Sequence, residues 1–213
     1  MPDPVLFGAA YSVYVRAARL ALEEKRVAYA LTEVDIFASG GAPADYLHRH
    51  PFGRIPAFEH DGFRLYETGA ITRYVDEAFP GPTLQPAEPL QRARMNQVIS
   101  VLDNYAYRTL VWDIFVERVR APSQGRMPDE GRIVAALPRA ETCLRALAEL
   151  MGDGPWLAGA TLTLADLHAA PMIVYFRMTP EGHELLSLHP GLLRWWKAIA
   201  ARDSMTRTRS PLE

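Results

Sequence analysis

Two short groups of residues in the first part of the chain could together bind a peptide-like ligand. Arg54-Ile55-Pro56 ends a β-type run, and Glu67-Thr68 opens a helical pattern eleven residues after the proline. A cis Ile55-Pro56 bond would turn the Ile55 N–H and C=O outward, because proline has no N–H and X-Pro bonds are readily held cis. A helix that begins at Thr68 would offer N–H groups that favour a carboxylate. The plainer alternative is a proline that ends an edge strand, followed by a capped helix.

These residues resemble the glutathione-binding site of the glutathione transferase family, and the resemblance extends over nearly the whole chain. In that family, the residue before a cis proline pairs with the cysteinyl backbone of glutathione, and a Glu/Gln–Ser/Thr pair holds the γ-glutamyl end. The resemblance implies that glutathione is the co-substrate and that the residues binding it are Arg54, Ile55, Pro56, Glu67 and Thr68.

The turn between the first predicted strand and the first predicted helix holds three hydroxyls, those of Tyr11, Ser12 and Tyr14. A free thiol has a pKa of about 8.5, so a glutathione transferase needs a hydroxyl donor and a helix N-terminus to stabilise the thiolate. The spacing around the turn looks like that of the serine-type classes, phi in particular, which implies that Ser12 is catalytic. The alternatives are Ser12 as a plain N-cap, Tyr11 as the donor, or Tyr14, which lies inside the predicted helix, as the donor. The turn has no cysteine, so disulfide-exchange chemistry lacks its nucleophile.

The glycine carboxylate of glutathione needs a different partner here. Phi-type enzymes use a His-Lys pair in the loop after the second strand, and this chain has Gly41 and Ala42 at the matching positions. Arg54 stands where the family usually has glutamine, and a guanidinium can bind a carboxylate through two hydrogen bonds. Arg49 or His50 could assist. The alternative for Arg54 is a solvent-exposed charge without a ligand.

Aromatic residues on a long helical pattern are candidates for binding an electrophile. The resemblance implies a hydrophobic acceptor site between two domains, with Tyr107, Trp112 and Phe115 on this helix and Tyr11 opposite them. Aromatic residues at helical spacing also occur in protein cores, which is the alternative for each residue on the helix.

Phe52 lies four residues before Pro56, on a predicted loop. In several dimeric classes of the family, an aromatic residue at this position inserts between helices of the partner subunit. An exposed phenylalanine on a loop is unfavourable unless something covers it. We therefore expect a symmetric homodimer with Phe52 at its interface.

The elements that must position these residues fall into two blocks. Residues 1–80 have the order β-α-β, a short helix, then β-β-α, which predicts a thioredoxin-like α/β domain. A proline-rich linker, 81–89, separates it from residues 90–213, which are helical throughout. The predicted fold class is an α/β thioredoxin-like N-terminal domain plus an all-α C-terminal domain, the architecture of glutathione transferases. The predicted helices of the second block are Leu90 to about Arg120, 132–151, 164–178 and 190–202.

Thr163 and Asp166 have the spacing of a helix capping box. In the glutathione transferase family this box is a folding element of the core helix. We therefore interpret Asp166 as structural, not catalytic.

Composition and charge argue against several other classes of protein. The 213 residues are 49% hydrophobic and carry a net charge of −2, which does not indicate nucleic acid or an anionic membrane as a partner. No apolar run approaches the roughly 18 residues needed to span a bilayer, and the N-terminus does not resemble a signal peptide. Cys143 is the only cysteine, which excludes an internal disulfide or a cysteine-built zinc site and fits a reducing compartment. We expect a cytoplasmic protein without a metal.

The leading hypothesis is a cytosolic glutathione transferase that stabilises the glutathione thiolate and conjugates it to a hydrophobic electrophile. The same thiolate could also reduce peroxides, remove halides or isomerise a substrate, although the Ser-Ser-Cys motif of the zeta-type isomerases is missing from the turn. The alternatives are a non-catalytic binding or scaffold protein of the same fold and a carrier of apolar ligands.

Overall fold

The computed structural model describes residues 3–213, which form two compact units. The first unit extends to Leu84 and also contains Arg202–Glu213, and the second unit comprises Gln85–Ala201. The fold class predicted from the sequence is confirmed, because a mixed sheet with helices is followed by a helical region. In the described part of the chain, no helix is both long enough and apolar enough to cross a membrane.

A four-stranded mixed sheet forms the centre of the first unit. Its strands are β1 Val5–Phe7, β2 Ala30–Thr32, β3 Ala57–His60 and β4 Phe63–Tyr66. They lie in the order β2-β1-β3-β4, with β1 parallel to β2 and the other pairs antiparallel. Asp61 and Gly62 form the hairpin turn between β3 and β4, with φ angles of 49° and 79° that suit a two-residue type I′ turn.

Two helices pack against this sheet and against each other. They are α1, Val13–Glu24, and α2, Thr68–Ala78, and a short 3₁₀ helix, Tyr46–His48, precedes β3. The apolar faces of the helices and the sheet form the core of the unit, in which the fully buried side chains include Leu6, Leu20, Phe58 and Ile71.

The last residues of the chain pack on α1 and complete the first unit. The buried guanidinium of Arg16 donates to the carbonyl of Met205 at 3.1 Å, and Glu24 accepts from Nη2 of Arg202 at 2.6 Å. The sequence assigned these residues to the helical domain. They join the first unit instead because a buried charge on α1 requires a polar partner, and this segment supplies it.

The second unit consists of helices joined by loops. They are α3 Pro89–Val101, a π-helical segment Leu102–Arg120, α4 Ala121–Ser123, α5 Glu130–Met151, α6 Leu164–Arg177, α7 Pro180–Ser187 and α8 Pro190–Ala200. A further short helix, α9 Asp203–Arg207, belongs to the C-terminal segment of the first unit.

The long helix predicted from the sequence forms, but its second part has π-type hydrogen bonds. The wider turn brings residues that are five apart together. The ring centroids of Tyr107 and Trp112 are 6.5 Å apart, and Nε of Arg108 donates to Oδ1 of Asp113 at 3.0 Å. Apolar periodicity over this stretch predicts a helix without revealing its type, because both types repeat apolar residues every three to five positions.

Asp166 is a structural residue, as the capping-box spacing predicted. Its carboxylate accepts from the N–H of Thr163 at 2.7 Å, from the N–H of Leu157 at 2.8 Å and from the indole N–H of Trp195 at 2.8 Å. The side chain is fully buried, and the box at the start of α6 is complete. The carboxylate therefore connects α6, α8 and the preceding loop.

Candidate functional site

Three segments meet at one end of the sheet in the first unit. Phe7 at the end of β1 pairs with Ala57 at the start of β3, and Ala57 pairs with Tyr66 at the end of β4. Paired strands lie about 4.8 Å apart. The register therefore brings together the turn that follows β1, the segment that precedes β3 and the start of α2, which hold the residues predicted to bind glutathione.

Gly8 allows two of these segments to approach each other closely. A Cβ atom at this position would lie 2.4 Å from Cγ2 of Val15 and 3.2 Å from Cβ of Ile55. A side chain on Gly8 would therefore push the first turn of α1 away from the Ile55 segment.

Ser12 is the N-cap of α1, so the structural alternative for this residue is realised. Its Oγ accepts a long hydrogen bond of 3.4 Å from the N–H of Val15. Within residues 3–213 its own O–H donates to no acceptor, and the side chain is partly exposed. An N-cap serine therefore keeps one proton that can be donated to a ligand, beside the positive end of the helix.

Tyr11 is engaged with the loop that follows β2. Its hydroxyl donates to Oδ1 of Asp35 at 3.3 Å, and its ring stacks on Phe37 with the centroids 6.1 Å apart. Asp35 and Phe37 were not among the residues predicted for the site. The available signal was Phe37, a large aromatic residue at the entrance to a loop of small residues.

The Ile55-Pro56 peptide bond is cis, as the sequence predicted. Neither the N–H nor the C=O of Ile55 makes a hydrogen bond in the part of the chain that the structure describes, although its side chain is buried. The hydroxyl of the buried Tyr46 donates to the carbonyl of Arg54 at 2.7 Å, and burial raises the pKa of this tyrosine. The hydrogen bond from Tyr46 thus holds the segment before β3 in place, while the Ile55 backbone remains able to pair with a peptide.

Glu67 and Thr68 form the start of α2. Glu67 has a positive φ of 71°, which is uncommon for a non-glycine residue and frequent at ligand sites. Its carbonyl accepts from the N–H groups of Ala70 and Ile71. The N–H groups of Thr68 and Gly69 donate to no acceptor in residues 3–213, so they remain available to an anion at the positive end of the helix.

The candidates for the glycine carboxylate differ in their surroundings. The side chain of Arg54 is exposed. Arg49 lies over the ring of Phe7, with Cζ 4.5 Å from the centroid, and pairs with Glu59 at 3.5 Å. Because Arg49 is held by these contacts, Arg54 is the better placed of the two arginines to bind a ligand.

His50, which the sequence analysis named as a possible partner of the glycine carboxylate, is buried. Its ring lies 4.9 Å from the ring of Tyr66, between centroids. Burial is the main cause that lowers the pKa of this imidazole; the carboxylate of Glu67 opposes the effect and the guanidinium of Arg54 adds to it.

The aromatic candidates of the second unit fall into two groups. Tyr107 and Trp112 are partly exposed and contact each other edge to face. Phe115 is only 2% exposed and stacks on Tyr175 with the centroids 4.3 Å apart and the rings nearly parallel. Its surroundings are those of a core side chain, the alternative that the helical spacing left open.

Phe52 is 71% exposed and makes edge-to-face contacts with His50 and Tyr66.

The second unit contains an open, mainly apolar cavity of about 630 Å³. Its lining residues come from α3, the π-helical segment and α5, and they are Val101, Asn104, Tyr105, Arg108, Thr109, Pro138, Arg139, Thr142, Cys143 and Ala146. Within residues 3–213, no group of three or more His, Cys, Asp and Glu side chains has an arrangement that could hold a metal ion.

Two family models match the chain in sequence. A model described as glutathione S-transferase, N-terminal domain, matches residues 6–83. A second model, described as glutathione S-transferase, C-terminal domain, matches residues 91–198. Together they account for most of the chain.

Individual proteins are similar over almost their full length. Glutathione S-transferase F13 of Arabidopsis thaliana is 28% identical over 204 residues, which are 95% of this chain and 93% of the relative. Glutathione S-transferase 4 of Zea mays is 29% identical over 206 residues, or 97% and 92%. The crystal structure of glutathione transferase F7 from Populus trichocarpa is 28% identical, covers 96% of this chain and 97% of its own, and superimposes with a TM-score of 0.85.

Proposed function

Because this chain belongs to the glutathione S-transferase family, as the resemblance in its sequence predicted, we propose that it ionises glutathione at Ser12 and conjugates it to a hydrophobic electrophile. The observation that carries the proposal is the O–H of Ser12 at the N-terminus of α1, which donates to no acceptor within residues 3–213. Ser12 lies on the segment that follows β1, at the end of the sheet where the Ile55 N–H and C=O also have no hydrogen-bond partner among the described residues.

Different residues of the site bind different groups of glutathione. The free N–H and C=O of Ile55 pair with the cysteinyl backbone, in the manner of a short antiparallel contact. The Glu67 carboxylate binds the γ-glutamyl ammonium, and the N–H groups and hydroxyl at Thr68 bind the γ-glutamyl carboxylate. The guanidinium of Arg54 binds the glycine carboxylate in place of the His-Lys pair of phi-type enzymes.

The chemistry is thiolate stabilisation and proximity. The thiol proton leaves to solvent, and the Ser12 O–H donates to the sulfur that remains. The positive end of α1 adds a further favourable field. The sulfur lone pair then forms the bond to the electrophilic carbon, whose leaving group or π electrons take the displaced pair. Tyr11 keeps its hydroxyl on Asp35, which favours Ser12 as the donor.

We retain the aromatic residues Tyr11, Tyr107 and Trp112 as the proposed contacts of the electrophile. Tyr11 and Phe37 form a stacked, partly exposed surface in the first unit, and Tyr107 and Trp112 form one in the second unit. Phe115 is buried against Tyr175 and would therefore support these side chains from the core without direct contact with the electrophile.

We also propose a homodimer in which Phe52 of each copy enters the apolar cavity in the second unit of the other copy. A phenylalanine that is 71% exposed and an open, mainly apolar cavity each favour a partner. Because each copy offers both features, the contact occurs twice around a two-fold axis and closes the assembly.

A cytoplasmic location and a role in detoxification fit the reduced, buried Cys143 and the conjugation chemistry.

The test is a titration with glutathione that follows thiolate absorption in the ultraviolet, which needs no knowledge of the electrophile. We expect the native protein to bind and ionise glutathione near neutral pH and Ser12→Ala to bind it without ionisation. Tyr11→Phe is the matched control, since it also removes one hydroxyl from the turn, and it should ionise glutathione as the native protein does. Equal ionisation by Ser12→Ala and the native protein would contradict the role of Ser12.

A further inference from the structure

Asp35 is a charged residue that the proposed reaction does not use, and it binds donors from two different segments. Its Oδ1 atom accepts from the hydroxyl of Tyr11 at 3.3 Å and from the N–H of Phe37 at 2.9 Å. The second of these bonds forms an Asx turn, in which an aspartate side chain fixes the backbone two residues further along the chain. One carboxylate oxygen therefore connects the turn before α1 with the loop after β2.

The surroundings of Asp35 make it the anchor of this loop. It directly follows Val34, which is buried and lies close to the end of β2. Beyond Phe37 the chain continues with exposed small residues, 38–41, and a Cβ atom added at Gly40 or Gly41 would meet nothing within 4 Å. Because this part of the loop has little packing of its own, the hydrogen bonds of Asp35 are needed to fix the place of Phe37.

The two residues that donate to Asp35 also contact each other through their rings. The ring centroids of Tyr11 and Phe37 are 6.1 Å apart, and the rings are inclined by 30°. Phe37 nevertheless remains 63% exposed. An exposed aromatic surface is unfavourable unless something covers it, and aromatic rings favour other rings as stacked or edge-to-face partners. Tyr11 immediately precedes Ser12, so this surface adjoins the residue that we assign to the thiolate.

We propose that Asp35 is a positioning residue that sets the specificity for the electrophile, because it holds Tyr11 and Phe37 together as a surface on which a planar aromatic electrophile stacks. The inference rests on the proposed function, in which Tyr11 contacts the electrophile. Since the two rings are already ordered, an aromatic ligand binds without the entropic cost of ordering them. A small aliphatic electrophile gains little from the same surface.

Two stable derivatives of glutathione measure this effect at equilibrium. S-(dinitrophenyl)glutathione has a planar ring on its sulfur, whereas S-methylglutathione has a methyl group, and neither has an ionisable thiol. The ratio of their Kd values, measured by calorimetry, reports the contribution of the ring and cancels that of the shared peptide. We expect the native protein to bind the dinitrophenyl derivative about tenfold more tightly, as one aromatic stacking contact allows.

Asp35→Ala removes the acceptor of both hydrogen bonds. It should weaken binding of S-(dinitrophenyl)glutathione by about three- to tenfold and leave binding of S-methylglutathione unchanged. Asp35→Asn retains an acceptor oxygen without the charge, so it should keep most of the native preference for the ring. Glu33→Ala, which removes another exposed carboxylate two residues earlier, is the matched control and should behave as the native protein does.

A double-mutant cycle tests whether Asp35 acts through Tyr11. Tyr11→Phe keeps the ring but loses the hydroxyl that Asp35 binds, so it should lose part of the preference for the dinitrophenyl derivative. Adding Asp35→Ala to Tyr11→Phe should then have a smaller effect than Asp35→Ala has alone. Tyr11→Phe also covers the case in which Asp35→Ala does not fold, since a fully native preference in Tyr11→Phe would reject the inference.

The outcomes separate the inference from the proposed function. A native ratio of the two Kd values in Asp35→Ala would overturn the role of Asp35 while leaving the glutathione site intact. Equal weakening of both derivatives would also overturn it, since Asp35 would then support the site as a whole. If the native protein bound neither derivative, the proposed function itself would fail.

Discussion

The hydrogen-bond partners of Ser12 and Tyr11, more than the chemistry of their hydroxyls, are the reason to propose Ser12 as the donor. Ser12 and Tyr11 could each donate to a thiolate, and both lie at the start of α1. Tyr11 has an acceptor, Asp35, whereas the Ser12 O–H has none in the described residues. A sequence lists the donors, but Asp35 reaches Tyr11 only because β2 lies beside β1 in the sheet.

Arg54 should contribute to affinity only through the glycine end of the ligand. We expect Arg54→Gln to weaken glutathione binding by about tenfold, since a charge-assisted contact of this kind contributes roughly 1.5 kcal/mol. Binding of γ-glutamylcysteine, which has no glycine, should not change. Both affinities can be measured by calorimetry.

Arg64→Gln is the matched control for Arg54, because Arg64 is also an exposed arginine of the first unit and, within residues 3–213, pairs only with Glu59 through a long contact of 3.6 Å. It should leave both affinities as they are. If Arg54→Gln weakened the two ligands equally, the guanidinium would act on the site as a whole and not on the glycine carboxylate.

At the scale of elements, α1 both positions Ser12 at its N-terminus and binds the C-terminal segment. Its first residue follows Ser12, and two of its polar side chains, the buried Arg16 and the half-buried Glu24, bind the C-terminal segment. The helix that presents the donor is therefore held at intervals along its length, which keeps its N-terminus at a fixed place relative to the sheet.

Asp166 should contribute strongly to the stability of the second unit. Asp166→Ala leaves the N–H groups of Leu157 and Thr163 and the indole N–H of Trp195 buried without an acceptor. We expect a loss of about 3–5 kcal/mol in the free energy of unfolding, measured with urea. Thr163→Ala removes only the other half of the capping box and should cost about 1–2 kcal/mol. A loss below about 1 kcal/mol for Asp166→Ala would contradict the assigned role.

Local patterns were sufficient for the elements and insufficient for their pairing. The cis Ile55-Pro56 bond and the Thr163–Asp166 box each depend on a few adjacent residues, and both were predicted. The packing of Arg202–Glu213 on α1 and the burial of His50 depend on contacts between distant parts of the chain. Periodicity carries no information about such contacts, and the family resemblance describes positions that the family shares.

At the scale of the whole molecule, dimerisation should depend on Phe52. Because this side chain is 71% exposed within one copy, Phe52→Ser should leave the fold stable while removing the contact with the partner. We expect the native protein to sediment as a dimer at micromolar concentration and the variant as a monomer. Phe63→Ser, another exposed phenylalanine of the first unit, is the control and should remain dimeric.

The cavity can be tested from the opposite side. Ala146 lines it, and Ala146→Phe should fill the space that we assign to the partner's aromatic ring. This variant should also be monomeric. A native protein that sediments as a monomer, or two variants that both remain dimeric, would exclude this interface.

The return of the chain to its first unit also determines when, during translation, α1 can pack against its partners. Residues 85–201 are translated between α1 and the segment that supplies its partners, Arg202–Glu213. Until that segment emerges, the guanidinium of Arg16 has neither the Met205 carbonyl nor Thr208 to bind and must remain hydrated. Domains generally fold in the order of their synthesis. Here the first unit cannot be completed until the second unit has been translated, because its last segment follows that unit in the chain. The helix that carries Ser12 is therefore among the first to be translated and among the last to be completed.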